Sequence, residues 1–437
     1  MTERLTITRM GRHGDGIAET SQGPLYIAYT LPGETIEAEP WSGQPDRRRL
    51  TRIEDASRER AAPICKYFGT CGGCAMQHWK GEHYRAWKRH VLLDILAQAQ
   101  LSVPVDDLID GSGQGRRRAV FHARFGVDGE LNVGFSARLA HDIVPIDCCP
   151  ILAAELDGAI EAARAIAQRI ARLRKPLDIQ VTATAAGLDV DVRGSGPLSP
   201  DDAASFASIA RHHRVARLAR HGEIIIQHAA PAIRIGRAEV LIPPGAFLQA
   251  TSAAETILQD LVLAHCRGAA RVADLFCGVG PFALRLAEKA RVSAFDTDAA
   301  AVGALKRAAA HAQGLKPVDA QSRDLFRSPL SDRELKLFDA VVLNPPRQGS
   351  ETQARTLAAS GVPLVIMVSC NPVTFARDAR ILVDGGYRLV QVTPVDQFLY
   401  SPHLELVAKF QRSDVRCQMS DVRCQMSEGR TSPSSGI

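Results

Sequence analysis

Between residues 245 and 410, strand-length apolar runs alternate with helical patterns, and this alternation constrains the fold more than any other feature. Helical patterns at 252–263, 281–290, 299–313, 352–359 and 372–383 are interleaved with strand patterns at 271–276, 292–296, 338–344 and 363–369. Two further strand patterns, 387–394 and 404–410, close the series. A parallel sheet covered by helices on both faces makes its central strands continuously apolar, as over 362–368. The pattern predicts a doubly wound, mostly parallel α/β sheet that holds ligands at the carboxyl ends of its strands. Ser252-x-x-Glu255 has the form of a capping box opening the first helix.

Several of those strand ends carry chemistry. The first runs into Asp274-Leu-Phe276-Cys-Gly-Val-Gly280, whose glycines let backbone approach a ligand beside a helix N-terminus. The next ends on Asp296, an acid placed to hold the two hydroxyls of a ribose. The full G-x-G-x-x-G is missing, which disfavours a dinucleotide and favours an adenosine without pyrophosphate, such as S-adenosylmethionine. Asn344-Pro-Pro-Arg347 follows, with an amide able to pair with a base edge. Arg347 stands where an amino-group methyltransferase has an aromatic residue, which argues against that reaction. In Ser369-Cys370-Asn371-Pro372 the strand becomes a helix, with Asn371 as N-cap and Pro372 in the first turn. Cys370 therefore lies beside a helix N-terminus, where a thiol is activated. Position alone weighs an attacking thiol and a packed one equally.

The preceding 243 residues read differently. Residues 1–57 carry short strands, glycine turns and the basic run Arg47, Arg48, Arg49 and Arg52, the pattern of a five-stranded barrel that binds oligonucleotides. Cys65, Cys71 and Cys74 follow in a C-x5-C-x2-C arrangement, and Cys148-Cys149-Pro150 offers a fourth thiolate. Four thiolates suit either an iron–sulfur cluster or zinc, and the spacing does not choose. Residues 80–100 form an amphipathic helix with Tyr84, Trp87, Val91, Ile95, Leu96 and Ala99 on one face and Lys80, Arg85, Lys88 and Arg89 on the other. Residues 112–243 are α+β, with a hairpin around Asp128-Gly129, a helix over 152–173 and strands at 179–184, 188–192 and 223–228. The net charge of +5 is compatible with nucleic acid without demanding it. No apolar stretch of about 18 residues occurs and the N-terminus is polar, so a cytoplasmic protein without a membrane span is expected. The heptapeptide at 413–419 recurs at 420–426 and leads into a Ser/Pro/Gly-rich end, so residues 413–437 are expected to be a disordered tail.

Taken together, these motifs resemble the uracil-5 RNA methyltransferase family over about residues 3–412. The resemblance rests on Cys65…Cys71-Gly-Gly-Cys74, Phe247-Leu-Gln249, the 274–280 turn, Asn344-Pro-Pro-Arg347, Ser369–Pro372 and His403-Leu-Glu405. It implies a Rossmann-like S-adenosylmethionine methyltransferase domain, preceded by a TRAM-type (OB-like) barrel and an α+β central domain holding a 4Fe-4S cluster. The implied division is 1–57 for the barrel, 58–79 with 101–243 for the central domain, and 80–100 with 244–412 for the catalytic domain. Cys65, Cys71, Cys74 and Cys149 are the implied cluster ligands. Cys370 is the implied nucleophile and Glu405 the base. Gln249, Phe276, Asp296, Asp324 and Asn344 are the implied contacts of the cofactor or base. The substrate implied is RNA, 23S ribosomal RNA ahead of transfer RNA because bacterial transfer-RNA members usually lack both barrel and cluster, and a monomer is expected. A non-catalytic RNA-binding protein on the same scaffold is the competing reading, opposed by the presence of Cys370 and Glu405. The chain departs from the family at Asp296, often Glu, at Asn344, often Asp, and at Pro281, sometimes polar.

Overall fold

The computed structural model describes residues 2–412, so the repeated heptapeptide and the expected tail lie outside the described residues. The carboxyl-terminal part is built on an eight-stranded sheet. Its order is Val318–Ser322, Arg291–Asp296, Arg271–Leu275, Ala340–Leu343, Leu364–Ser369, Glu405–Arg412, Tyr387–Asp396 and Ile109–Asp110. The first five are mutually parallel, and Glu405–Arg412 alone runs against its neighbours. One face packs on helices Ser252–His265, Ala283–Leu286 and Ala299–His311, burying Leu258, Leu284 and Leu305. The other packs on Gly81–Gln98, Glu351–Ala359 and Pro372–Asp384, burying Leu92, Leu357 and Leu382.

Local chemistry sets the element boundaries. The Asn371 side chain accepts from the Val373 amide at 3.1 Å, and Pro372 occupies the first turn. Asp298 caps Ala299–His311 by accepting from Ala300 and Ala301. The expected Ser252/Glu255 capping box does not form. Thr251 is the cap, accepting from the Ala254 amide at 3.0 Å, because the buried Arg117 takes the Glu255 carboxylate at 2.5 Å. The helix expected over 281–290 is only Ala283–Leu286, and that over 152–173 is Ala159–Arg169 between short 3-10 turns, because Gly158 at φ 80 starts it late.

The domain boundaries shift from those expected. Residues 101–111 lie along the catalytic sheet: the Asp106 amide donates to the Val392 carbonyl and Ile109–Asp110 pairs with Val395–Asp396. The hairpin Ala232–Ile235 and Ala238–Leu241 also belongs there, its Ile235 and Val240 sharing a core with Leu305. The central domain is a seven-stranded sheet, in the order Ile143–Pro145, Leu131–Ser136, Arg118–Phe125, Leu177–Thr184, Gly187–Arg193, Val215–Arg220 and Glu223–Gln227. Helices Ala159–Arg169 and Pro200–His212 pack on it. In the amino-terminal sheet, Glu3–Thr6 pairs with Thr35–Trp41 and Arg9–Met10 with Asp15–Thr20. One bent segment therefore joins both edges of a six-stranded sheet, and counted as one strand it leaves five.

Two charged groups differ from expectation. Arg47, Arg48, Arg49 and Arg52 are not a free basic stripe, since they pair with Asp15, Glu3, Glu39 and Glu37. Lys88 is not on a solvated face. It is 2% exposed, and its Nζ lies 2.6 Å from Asp396 Oδ1. The Tyr84 hydroxyl donates to Asp396 Oδ2 at 2.9 Å. Burial, against the pull of Asp396, lowers the Lys88 ammonium to about 8. Removing one partner strands the other in the interior. Asp396→Ala is therefore expected to lower stability by about 3–5 kcal/mol in urea unfolding, and a loss below about 1 kcal/mol would contradict this packing.

Candidate active site

Successive strands of the catalytic sheet lay out the site in a row. Asp296, Phe276, Asn344, Cys370 and Glu405 lie at the same sheet edge, on five neighbouring strands in that order. At strand spacing the row is about 19 Å long. Four of these strands run toward that edge, so the functional residues follow their carboxyl ends. Glu405 opens the antiparallel strand, and Ser369 pairs with Leu406, so Cys370 and Glu405 are the next residues past that pair.

At one end of the row the backbone is folded for a ligand. Phe276 has φ 62, with Gly278 and Gly280 also left-handed at 52 and 91. A Cβ on Gly280 would stand 2.4 Å from Leu305, so glycine is needed there for packing as well as for conformation. Asp296 accepts from the Gly278 and Asp298 amides at 2.8 and 2.9 Å. The Phe276 ring lies 5.3 Å from the exposed ring of Phe326, a residue sequence reasoning missed because it belongs to no motif. Asp324 reaches this end, but its carboxylate caps its own turn, accepting from Phe326 and Arg327. Beneath the turn, Asp274 is fully buried with neither oxygen in a well-formed hydrogen bond. Burial, against the Ala283 amide, pushes this acid up to about 8. A carboxylate, two aromatic rings and a left-handed turn fit the ribose, adenine and backbone-bound portion of S-adenosylmethionine.

At the other end stand Cys370 and Glu405. Burial, and after it the neighbouring Glu405, raise the half-buried Cys370 thiol to about 11, while Arg347 works in the opposite direction. Glu405 is 3% exposed, and burial lifts it to about 7. Gln397 donates to Glu405 Oε2 at 2.6 Å and to Gln249 Oε1 at 2.8 Å. Asn371 Nδ2 and Thr374 Oγ1 both donate to the Arg347 carbonyl, fixing that turn beside Cys370. The Arg347 guanidinium lies 2.9 Å from His403 Nδ1. Arginine only donates, so Nδ1 accepts and Nε2 carries the hydrogen. Burial, with the Arg347 charge, holds His403 down at about 4, so the ring is neutral at pH 7.

The cysteines adjoin this end. Cys65, Cys71, Cys74, Cys148 and Cys149 line one cavity of about 830 Å³ that extends past Arg116 and Arg118 to His403. Cys149 is half-buried, and its thiol is influenced by those of Cys74, Cys65 and Cys71. Cys148 is exposed, and its neighbour Asp147 raises the proton affinity of its thiol. Gly72 is pressed against the central sheet, where a Cβ would meet the Ser136 carbonyl oxygen at 2.9 Å. The Ala75 and Met76 amides both donate to the Tyr400 carbonyl, tying the cysteine loop to the segment between Gln397 and Glu405. Among the described residues no three His, Cys, Asp or Glu side chains are grouped to hold a single metal ion.

This fold and this row of residues define a methyltransferase of the S-adenosylmethionine-dependent class. A family model described as methyltransferase small domain matches residues 239–360. An uncharacterized RNA methyltransferase of Brucella suis is 45% identical over 407 residues, covering 93% of this chain and 97% of that protein. The 23S rRNA (uracil(1939)-C(5))-methyltransferase RlmD of Chromohalobacter salexigens is 33% identical over 439 residues, covering 94% and 90%. The crystal structure of a Pyrococcus abyssi tRNA (uracil-54, C5)-methyltransferase with S-adenosyl-L-homocysteine shares the fold, with a TM-score of 0.71 over 93% of this chain and 99% of that one, at 23% identity. The chain belongs to the uracil-5 RNA methyltransferase family, and it is an RNA methyltransferase.

The raised Glu405 makes stability depend on pH. Its folded value of about 7 lies above the ordinary 4.5, so ionising it costs the fold. The cost is absent below 4.5, grows between 4.5 and 7, and is complete above 7, where it amounts to about 3 kcal/mol. Glu405→Gln is therefore expected to melt above the unaltered protein at about pH 8 and to converge with it toward about pH 5. Equal melting temperatures at both pH values would contradict the burial of an ionisable acid here.

Proposed function

We propose that this enzyme methylates carbon 5 of a uridine in RNA, with Cys370 as nucleophile and Glu405 as base. The observation carrying this reading is the antiparallel register that sets a thiol and a buried carboxyl side by side at the edge facing the cofactor turn. Carbon 5 of uracil is a weak nucleophile. The Cys370 sulfur adds to carbon 6, and the electron pair of the carbon 5–carbon 6 bond moves into an enolate. Arg347 and the N-terminus of helix Pro372–Asp384 favour the thiolate that this addition needs. S-adenosylmethionine, when bound, supplies the methyl group that carbon 5 then takes. Glu405 accepts the carbon 5 proton, the double bond re-forms and the carbon 6–sulfur bond breaks, returning the thiolate. The two-stage route replaces one difficult step by easier ones. A general base contributes about 100- to 10,000-fold. The target uridine has to leave its stack to reach the sheet edge, so an unpaired or flipped nucleotide is required.

The relative named as a 23S rRNA methyltransferase supports ribosomal RNA as the substrate. The cavity joining His403 to Arg116 and Arg118 supports an RNA path between the central and catalytic domains. The amino-terminal sheet is read as a TRAM-type domain flanking that path. Its own arginines are largely neutralised, so the cleft carries the contacts. Cys65, Cys71, Cys74 and Cys149 would hold a 4Fe-4S cluster. All four line one cavity, and four thiolates are the donor set of such a cluster. The link from Ala75 and Met76 to Tyr400 supports a structural role for that cluster in holding the segment before Glu405. A monomer is proposed.

Ribosomal RNA containing 5-fluorouridine tests the chemistry, because carbon 5 then has no proton to lose and the adduct persists. With S-adenosylmethionine present, a stable protein–RNA adduct is expected for the unaltered chain and none for Cys370→Ala. An adduct that survives Cys370→Ala would overturn the assignment. Anaerobically purified protein is expected to contain iron, most of it lost in Cys149→Ser and retained in Cys148→Ser. The reverse would exchange the fourth ligand.

A further inference from the structure

Gln397 belongs to no motif of the chain, yet its carboxamide is the most completely used polar group at the site. It is 2% exposed. The Ala250 amide donates to its Oε1 at 2.9 Å, which settles the orientation of the amide because a backbone N–H cannot accept. Both hydrogens of Nε2 are then committed, one to Glu405 Oε2 and the other to Gln249 Oε1. We infer that Gln397 is a positioning residue for the elimination step, holding Glu405 with Oε2 masked as an acceptor and Oε1 left to receive the proton from carbon 5.

The argument is one of hydrogen-bond valence. The Nε2 hydrogen occupies one lone pair of Oε2 and lowers the basicity of that oxygen, so Oε1, which accepts no such bond, is the better proton acceptor while the contact stands. When the carbon 5–hydrogen bond breaks, the proton goes to Oε1. Its electron pair restores the carbon 5–carbon 6 bond, and the carbon 6–sulfur pair returns to Cys370. The same contact favours the ionised carboxylate, and Gln397 is the one hydrogen-bond donor opposing the burial that raises Glu405. Gln397 is itself held by its neighbour. Asp396 accepts from Lys88, from Tyr84 and from the Phe398 amide at 2.6, 2.9 and 3.0 Å, so the turn leaving strand Tyr387–Asp396 is anchored to helix Gly81–Gln98. That helix thus supports the base although it precedes the base by some three hundred residues.

This inference rests on the proposed reaction, and the test separates the two. Gln397→Met keeps the volume and removes the donors. Adduct formation with 5-fluorouridine RNA, which needs Cys370 but not the base, is expected to stay within about threefold of the unaltered protein and doubles as a check of folding. Turnover on uridine RNA is expected to fall about 10- to 100-fold. The methylated covalent intermediate should then accumulate on denaturing gels, and the pH at which turnover reaches half its maximum should rise by about one unit. Gln397→Glu, which keeps the shape but sets a second carboxyl against Glu405, should move that pH in the same direction. An unshifted pH profile in both variants, or loss of adduct formation and turnover in equal measure, overturns the role of Gln397. Failure of the unaltered protein to form any adduct overturns the proposed reaction and this inference with it.

Discussion

The pairing of Leu364–Ser369 with Glu405–Arg412 is the interaction on which the site depends. In a wholly parallel sheet, residues that open strands and residues that end them lie at opposite edges. Reversing one strand brings a residue that opens it to the edge where its neighbours finish. Glu405 thereby reaches Cys370, although a hydrophobic sheet separates all other strand starts from that edge. The two are then forced on each other. Burial raises the proton affinity of both groups, Glu405 raises that of the Cys370 thiol further, and Arg347 is the cation that works against this at the thiol. Under the proposed reaction, the cost of burying Glu405 has a use, because burial lifts the acid to about 7, the range that suits a base in the elimination step.

The rest of the molecule converges on that edge. Helix Gly81–Gln98 holds the turn before Gln397, and the cysteine loop holds Tyr400 within the following segment. Arg117 of the central domain holds Gln249 and Glu255 at the start of the first catalytic helix. Segments remote in sequence thus fix the start and the middle of the stretch between Gln397 and Glu405, and the Gln249 backbone beside it.

Much of this was legible in the sequence. The strand–turn–helix at Cys370, the caps Asn371 and Pro372, and the acid at Asp296 announce themselves because each depends on local rules of strand length and capping. The clustering of cysteines was equally plain, although the choice of Cys149 over Cys148 came from the family resemblance and not from the spacing, and both line the same cavity. What escaped was set by tertiary partners. Lys88 looks like a solvated charge until Asp396 meets it across the domain. Glu255 looks like part of a cap until Arg117 claims it. Strand Val318–Ser322 alternates with polar residues because it is an edge strand, with Ala320 the one fully buried side chain. Gln397 follows a strand without any periodic or motif signal, since two of its three partners, Gln249 and Ala250, are distant in sequence.

The most direct measurement is the fate of the carbon 5 hydrogen. RNA carrying tritium at carbon 5 of uridine, incubated with the protein and S-adenosylmethionine, should release one tritium to water for each methyl group incorporated. Cys370→Ala should release none, and Glu405→Gln should retain tritium in RNA that has already gained its methyl group. Methyl incorporation by the unaltered protein without tritium release would place the methyl group elsewhere than carbon 5 and contradict the account at its centre.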